Sequence, residues 1–286
     1  MMAGEHTRLR GLGQRGVALV AVLWVVAALS ILVTGLVQTQ REEIRTASTA
    51  RQRLQGDATG QGAIQLAAQS TQALQGRGQP QTRLTRLRVP YDGVEVQVEI
   101  QPLSGLVDIN IAPAPLLAAM FAINGGVEPA AAERLAASIV ALRTARPSEP
   151  PPRFKAPEEL LNVEGVHYDL YARLAHLVTT DSRGSGRINP LAASPEVLLL
   201  LAGGDQGLAS RVAADRDADV PGLDTTRLQA AFIDSSVSSR LRFRAVVPFP
   251  DGSRVVVVRD IDVSNVAEGT TPWRTMRAHA PVMSLK

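Results

Sequence analysis

VALVAVLWVVAALSILVTGLVQ, residues 17–38, is the stretch that decides the fold of this chain. None of its 22 residues is charged, and as an α-helix it would extend about 33 Å, close to the ~30 Å hydrocarbon core of a bilayer. A helix satisfies its own backbone hydrogen bonds in lipid. Arg8, Arg10 and Arg15 precede the stretch, and positive charge on that flank favours a cytoplasmic N-terminus. We therefore predict a single-pass membrane helix, with the remainder of the chain outside the cytoplasm.

Three interpretations of this N-terminal segment compete. A secretory signal peptide would have a shorter apolar core followed by a small-residue cleavage site, and no such site follows this run. A plain N-terminal anchor requires only the apolar run itself. The third interpretation rests on Arg15, Gly16 and Val17, which resemble the junction of prepilin-type leaders, where a short basic leader ending in glycine is removed on the cytoplasmic side. Cleavage at that junction would start the mature chain at Val17.

The helical pattern continues well beyond the apolar stretch. We predict one helix from about Val17 to Gln75, with its second half outside the membrane. Gly56, Gly60 and Gly62 lie inside it and cost roughly 1 kcal/mol each relative to alanine, so they indicate a soft joint. The signals that end the helix are Gly76, Gly78 and Pro80.

Two pairs of strand-like runs predict antiparallel strands, and the first pair alternates apolar and polar residues. Residues 83–89 and 94–100 flank an Asp-Gly turn, and residues 239–247 and 254–263 flank a Pro-Asp-Gly turn. If the two pairs form one sheet, the residues between them are an insertion into that sheet. Residues 264–286 show no regular pattern, and we predict an irregular tail there.

An internal near-repeat characterises the helical part of the chain, residues 103–236. Each copy has Ile-Asn, a proline-bearing turn, an apolar helix, Gly-Gly and a second helix that ends in arginine. Proline suits the first turn of a helix and glycine suits the bend between two helices. The first copy contains Ile109-Asn110, Gly125-Gly126 and Arg143, and the second contains Ile188-Asn189, Gly203-Gly204 and Arg216.

These patterns predict an α+β fold. A pilin-like long N-terminal helix packs on a small antiparallel sheet, and a large all-α domain is inserted between the strands. The predicted segments are a leader (1–16), the transmembrane half of the helix (17–38), its extracytoplasmic half (39–76), the first part of the sheet (77–102), the inserted helical domain (103–236), the second part of the sheet (237–263) and a C-terminal tail (264–286).

The arrangement resembles the type II secretion minor pseudopilins usually called protein K. The resemblance covers nearly the whole chain, from the leader ending in Gly16 to the Ile-Asn runs of the inserted domain. Most prepilin-like proteins carry glutamate at the fifth residue after the cut, where this chain has Ala21, and protein K typically lacks that glutamate. A carboxylate inside a membrane helix costs about 2.5–3.5 kcal/mol, so it needs a cationic partner on a neighbouring subunit. Ala21 has no such need and suits a subunit at the end of a fibre.

The resemblance implies a function and a set of partners. The protein would cap the tip of the pseudopilus and help to start its assembly, for secretion of folded proteins across the outer membrane. Its partners would be the minor pseudopilins I and J, the major pseudopilin, the prepilin peptidase and the inner-membrane assembly platform. The chain would be an inner-membrane protein with a periplasmic globular part and an N-methylated Val17.

Metal binding is a separate prediction. The acidic run that prompts it comprises Asp215, Asp217, Asp219 and Asp224. Ca²⁺ takes six to eight oxygen ligands, and the resemblance implies calcium because some K proteins bind it in the inserted domain. The run departs from an EF-hand loop, since Val220 stands at the glycine position and Thr226 at the position of the bidentate glutamate. The alternative is a solvated helix end.

Enzyme and nucleic-acid functions receive little support. The four histidines are not spaced as ligand pairs, and no phosphate-binding, nucleophile-elbow or dinucleotide motif is present, so we expect no catalysis. Residues 160–166 resemble a helix-hairpin-helix, which binds phosphate through backbone N–H groups. A membrane-anchored module of that kind, or a pilin-like DNA-uptake protein, is the alternative function. The formal charge of only +3 argues against nucleic acid.

Overall fold

The computed structural model describes residues 14–144, 154–220, 222–264 and 273–284, and the side chains of residues 14–18 and 31–46 are outside that description. The chain divides into two compact units, Met1–Gln55 and Gly56–Lys286. Most of the predicted leader lies outside the described residues.

Along the chain, a long helix is followed by two strands, a mainly helical stretch and four further strands. The helices are α1 (Gln14–Gly76), α2 (Ala114–Ile123), α3 (Pro129–Arg143), α4 (Tyr168–Leu174), α5 (Pro195–Leu201) and α6 (Gln206–Asp217). The strands are β1 (Thr85–Tyr91), β2 (Val94–Pro102), β3 (Val107–Asp108), β4 (Val178–Thr179), β5 (Arg240–Pro248), β6 (Arg254–Asp262), β7 (Arg274–Ala278) and β8 (Val282–Ser284). The predicted long helix and the four predicted strands are confirmed.

The first unit contains the N-terminal part of α1. Every side chain from residue 19 to residue 30 is exposed, including Leu23 at 70% and Trp24 at 72%. Over the part of the chain whose side chains are described, no helix has both the length and the apolar character needed to cross a bilayer.

In the second unit, the remainder of α1 packs on one face of the sheet. A Cβ at Gly56 would lie 2.6 Å from Val255 Cβ, and one at Gly60 would lie 2.6 Å from Val257 Cγ2. These glycines therefore let the helix backbone approach β6 closely, and the helix continues through them. Because α1 is one continuous helix from Gln14 to Gly76, the structure gives no support to the predicted soft joint at these glycines.

The sheet joins the two predicted hairpins. Its antiparallel order is β1-β2-β5-β6, and β7 and β8 both pair with the outer edge of β6. Asp92 and Gly93 connect β1 to β2 with positive φ values of 51° and 73°, as a two-residue hairpin turn requires. The apolar face beneath α1 includes Val98, Phe243 and Val257, all fully buried.

The prediction of an irregular C-terminal tail is wrong. Residues 274–278 and 282–284 form β7 and β8. These strands are too short for their alternation to stand out in the sequence. They are strands because the edge of β6 supplies backbone partners, for example Val255 for Met283, and that is a tertiary property.

The segment between β2 and β5, residues 103–239, is called the helical segment here. It has its own hydrophobic cluster, separate from the one beneath α1, with Leu116, Phe121 and Leu198 fully buried. The segment is not all-α as predicted: β3 and β4 pair in parallel, and Ile188 forms a parallel bridge with Ile233. The short extended pieces pair because Val107, Asp108 and Ile188 are buried, and their backbone groups need partners there.

The near-repeat is visible in the structure as two helix pairs, α2–α3 and α5–α6. The arginine ending each second helix returns to the start of its own copy. Arg143 donates hydrogen bonds to the carbonyls of Ile109 and Ala112, and Arg216 donates to the carbonyl of Ala193. These arginines satisfy backbone acceptors that the turns leave unpaired.

Candidate functional site

The predicted processing and assembly residues all lie in α1. Gly16 and Val17 lie in the first turn of α1, and their side-chain environment is outside the part of the chain that the structure describes. Ala21 is exposed. Processing at Gly16 and the role of Ala21 stay predictions.

The structure does not bring the four predicted calcium ligands together. Asp217 Oδ2 lies 3.1 Å from Arg86 Nη1 on β1, and Asp219 forms an ion pair with Arg83. Asp224 instead accepts hydrogen bonds from the backbone N–H and hydroxyl of Thr226, which lower its pKa. Within the described ranges no three His, Asp or Glu side chains form a group that could hold a metal ion. The end of α6 is therefore tied to the edge of the sheet by charge pairs.

A ladder of arginine–aspartate pairs occupies the sheet face opposite α1. Arg242 stands directly across from Asp260, with Nε 2.8 Å from Oδ1 and Nη2 3.0 Å from Oδ2. Arg240 and Asp262 form the next pair at 3.2 Å. Both pairs are buried. Burial is the largest single effect on Asp260 and opposes its ionisation. The charge and hydrogen bonds of Arg242, together with His279 at 3.5 Å, outweigh burial in sum and hold the pKa of this carboxyl well below its usual range.

The same arginines hold the helical segment against the sheet. Arg242 donates to the carbonyls of His176 and Val178, both at 3.3 Å, and Arg240 donates to the carbonyl of Asp181 at 3.0 Å. Each guanidinium thus satisfies a carboxylate on β6 and backbone acceptors of the helical segment at once. The sequence analysis missed this ladder, although Arg240, Arg242 and Arg244 alternate along one strand as the strand period requires.

Next to the ladder, a cleft of about 530 Å³ separates the sheet face from the helical segment, and we call it the arginine cleft. Its sheet side is formed by Arg86, Glu99, Gln101, Arg242, Arg244, Val256, Val258, His279, Ala280 and Val282, and its other wall by Ala175, His176, Ser194, Pro195 and Glu196. Burial lowers the pKa of His176 and favours its neutral imidazole. The cleft is lined by charged, neutral polar and aliphatic groups.

The helix–glycine–helix unit at residues 157–174 is built mainly for packing. Leu160, Val163 and Leu174 belong to the core of the helical segment, and Gly165 has a φ of 90° at the bend. Burial, with a smaller contribution from Glu158, raises the pKa of Tyr171 to about 12.

No protein-family model matches the chain, and no curated protein matches its sequence. Among solved structures, a chain of the GspK-GspI-GspJ complex from the type 2 secretion system of enterotoxigenic Escherichia coli is similar, with a TM-score of 0.46 and 16% sequence identity. The match covers 85% of this chain and 100% of that chain.

Proposed function

We propose that this protein is a minor pseudopilin of the type II secretion system, of the protein K type, that ends the pseudopilus at its tip and helps to start its assembly. The role is structural and non-enzymatic. The minor pseudopilins I and J are its immediate partners, the major pseudopilin forms the shaft below, and the prepilin peptidase and assembly platform act on it in the inner membrane.

One observation carries this proposal. A long helix packs through closely fitting glycines on an antiparallel sheet, and the helical segment separates the two hairpins of that sheet in sequence. The helix provides the shared packing element of a pilin-like fibre subunit. The helical segment adds bulk that an ordinary shaft subunit would have no room for.

The apolar N-terminal part of α1 supports an inner-membrane anchor with the globular part in the periplasm. Side chains such as Leu19 and Trp24 are more than 70% exposed. A continuous run of exposed apolar side chains is unfavourable in water and needs lipid or another apolar surface around it.

Mass spectrometry of the mature N-terminus tests the processing step. We expect the purified chain to begin at Val17 and to carry an N-methyl group. Gly16→Leu should leave the leader attached, whereas Gly11→Ala, a change elsewhere in the leader, should be processed normally. An intact Met1 in the wild-type chain would support a plain membrane anchor instead.

Replacement of Ala21 tests the role at the tip. Ala21→Glu supplies the carboxylate that shaft subunits carry, so we expect the variant to appear in the fibre at several copies, measured by quantitative mass spectrometry of sheared fibres. Ala21→Gln has nearly the same shape without the charge and should keep the wild-type copy number. Wild-type protein at many copies along the shaft would contradict the proposal.

Calcium binding by the acidic run stays a prediction. Ca²⁺ would have to compete with Arg86 for Asp217 and with Arg83 for Asp219. Calorimetric titration of the full chain should show heat that Asp217→Asn and Asp219→Asn reduce, if the run binds calcium. No heat and no change in melting temperature would remove the prediction.

A further inference from the structure

The arginine cleft continues into an open part of the same sheet face. The side chains of this face alternate with those packed under α1, so Val246 and Val256 stand opposite each other on it, with Val282 beside them on β8. Val282 is 63% exposed, and the other two are half-buried. A row of aliphatic side chains therefore borders the cleft.

Some charged side chains of the cleft have an ion-pair partner and others do not. Arg86 pairs with Glu99 at 3.0 Å, and Arg242 is occupied by Asp260. In the part of the chain that the structure describes, Arg244 has no hydrogen-bond or ion-pair partner, although it stands between Glu99 on β2 and Val258 on β6. Arg244 is exposed, and a guanidinium that no carboxylate engages can bind one from a ligand, because its planar fork matches carboxylate geometry.

The opposite wall limits what can bind. Glu196 lines that wall and also has no side-chain partner among the described residues. Its negative charge opposes ligands with several clustered anionic groups, such as a polyphosphate, and leaves room for a single carboxylate placed against the sheet side. Repulsion of the wrong ligand is one of the ways in which specificity is obtained.

We propose that the arginine cleft binds an acidic peptide segment of a partner protein, with one Asp or Glu side chain on Arg244 and an aliphatic side chain two residues away on the valine row. The unpaired guanidinium of Arg244 and the valine row beside it match such a segment. The row extends across β5, β6 and β8, farther than a single small carboxylate could cover. This inference does not depend on the identity of the fibre and would hold for any partner with that chemistry.

Peptide binding by the full-length protein in detergent tests the proposal. The probe is a dye-labelled acetyl-Ala-Glu-Ala-Val-Ala-amide, whose single Glu and Val lie two residues apart and so on one face of an extended chain, and the comparison peptide has Gln in place of Glu. We expect fluorescence anisotropy to show saturable binding of the Glu peptide and at least tenfold weaker binding of the Gln peptide, since charge-assisted hydrogen bonds dominate the contact. Equal binding of the two peptides would overturn the proposal.

Variants locate the site. Arg244→Gln should weaken binding of the Glu peptide about tenfold or more, and Arg244→Lys should have an intermediate effect because it keeps the charge and loses the fork. Arg211→Gln removes an exposed arginine from α6, outside the cleft, and should leave binding unchanged. Equal losses from Arg244→Gln and Arg211→Gln would mean that only general positive charge attracts the peptide, and the proposal would fail.

Two further experiments distinguish a site that binds a peptide from a site that binds only a small anion. Inorganic phosphate or acetate at millimolar concentration should not displace the Glu peptide, because neither covers the valine row. Val282→Ser should weaken peptide binding without changing the melting temperature, since this side chain is largely exposed. Displacement by millimolar acetate, or no effect of Val282→Ser, would reduce the cleft to a weak carboxylate site and contradict the peptide proposal.

Discussion

Replacement of Gly60 by alanine is the sharpest test of how α1 packs on the sheet. The new Cβ would lie 2.6 Å from Val257 Cγ2 and 3.0 Å from Val257 Cβ. Favourable carbon–carbon contacts lie at about 3.5–4.0 Å, so one side must retreat by nearly 1 Å. Val257 is fully buried in β6, between β5 and the edge strands, and a β-branched side chain has little rotamer freedom.

The magnitude follows from two opposing effects. Overpacking of a well-filled core costs about 1–3 kcal/mol, and the stiffness of Val257 places Gly60→Ala in the upper half of that range. Alanine regains about 1 kcal/mol of helix propensity relative to glycine. We therefore expect a net destabilisation of about 1–2 kcal/mol, measured by urea unfolding of the full chain in detergent and followed by circular dichroism.

Two controls separate packing from propensity. Ala58 is exposed on the same helix, so Ala58→Gly should report the propensity alone, as a loss of about 1 kcal/mol. In a Val257→Ala background the closest methyl group is gone, and Gly60→Ala should become neutral or stabilising. A stabilisation of about 1 kcal/mol by Gly60→Ala in the wild-type background would refute the close packing of α1 on β6.

Three further predictions concern the ion pairs and the near-repeat. Asp260→Asn leaves Arg242 buried without its carboxylate and should cost about 3–5 kcal/mol in urea unfolding, whereas Asp169→Asn, at an exposed position, should change stability little. Because Arg242 lowers the pKa of Asp260, the stability from this pair is complete above the unfolded carboxyl pKa of about 3.9 and is lost as pH falls through the lower folded pKa. The stability difference between wild type and Asp260→Asn should therefore shrink below about pH 4, and a constant difference from pH 7 to pH 2 would contradict the ionised pair. Arg143→Met removes the hydrogen bonds to two carbonyls at the start of the first repeat and should lower stability by about 1–3 kcal/mol, while Arg134→Met, exposed on the same helix, should have an effect within about 0.5 kcal/mol.

Much of the secondary structure could be predicted because its signals are local. The uninterrupted helical pattern to Gly76, the Asp92-Gly93 turn and the alternating valines of β2 each depend on neighbours a few residues apart. The near-repeat was predictable for the same reason, since each copy carries its own proline and glycine punctuation. The arginine–aspartate ladder could also have been found, because the hairpin turn near Asp251 places Arg242 opposite Asp260.

Contacts between distant parts of the chain decided the rest. By itself the sequence determined which residues are helical or extended and which face of each element is apolar, because side-chain period and turn chemistry are local properties. Only the tertiary structure decided that Gly60 faces Val257 and that Asp217 faces Arg86, across about 130 residues or more of chain, and that the edge of β6 converts a tail into strands. The physical reason is that a local pattern specifies a surface, whereas the partner of that surface depends on how the whole chain closes upon itself.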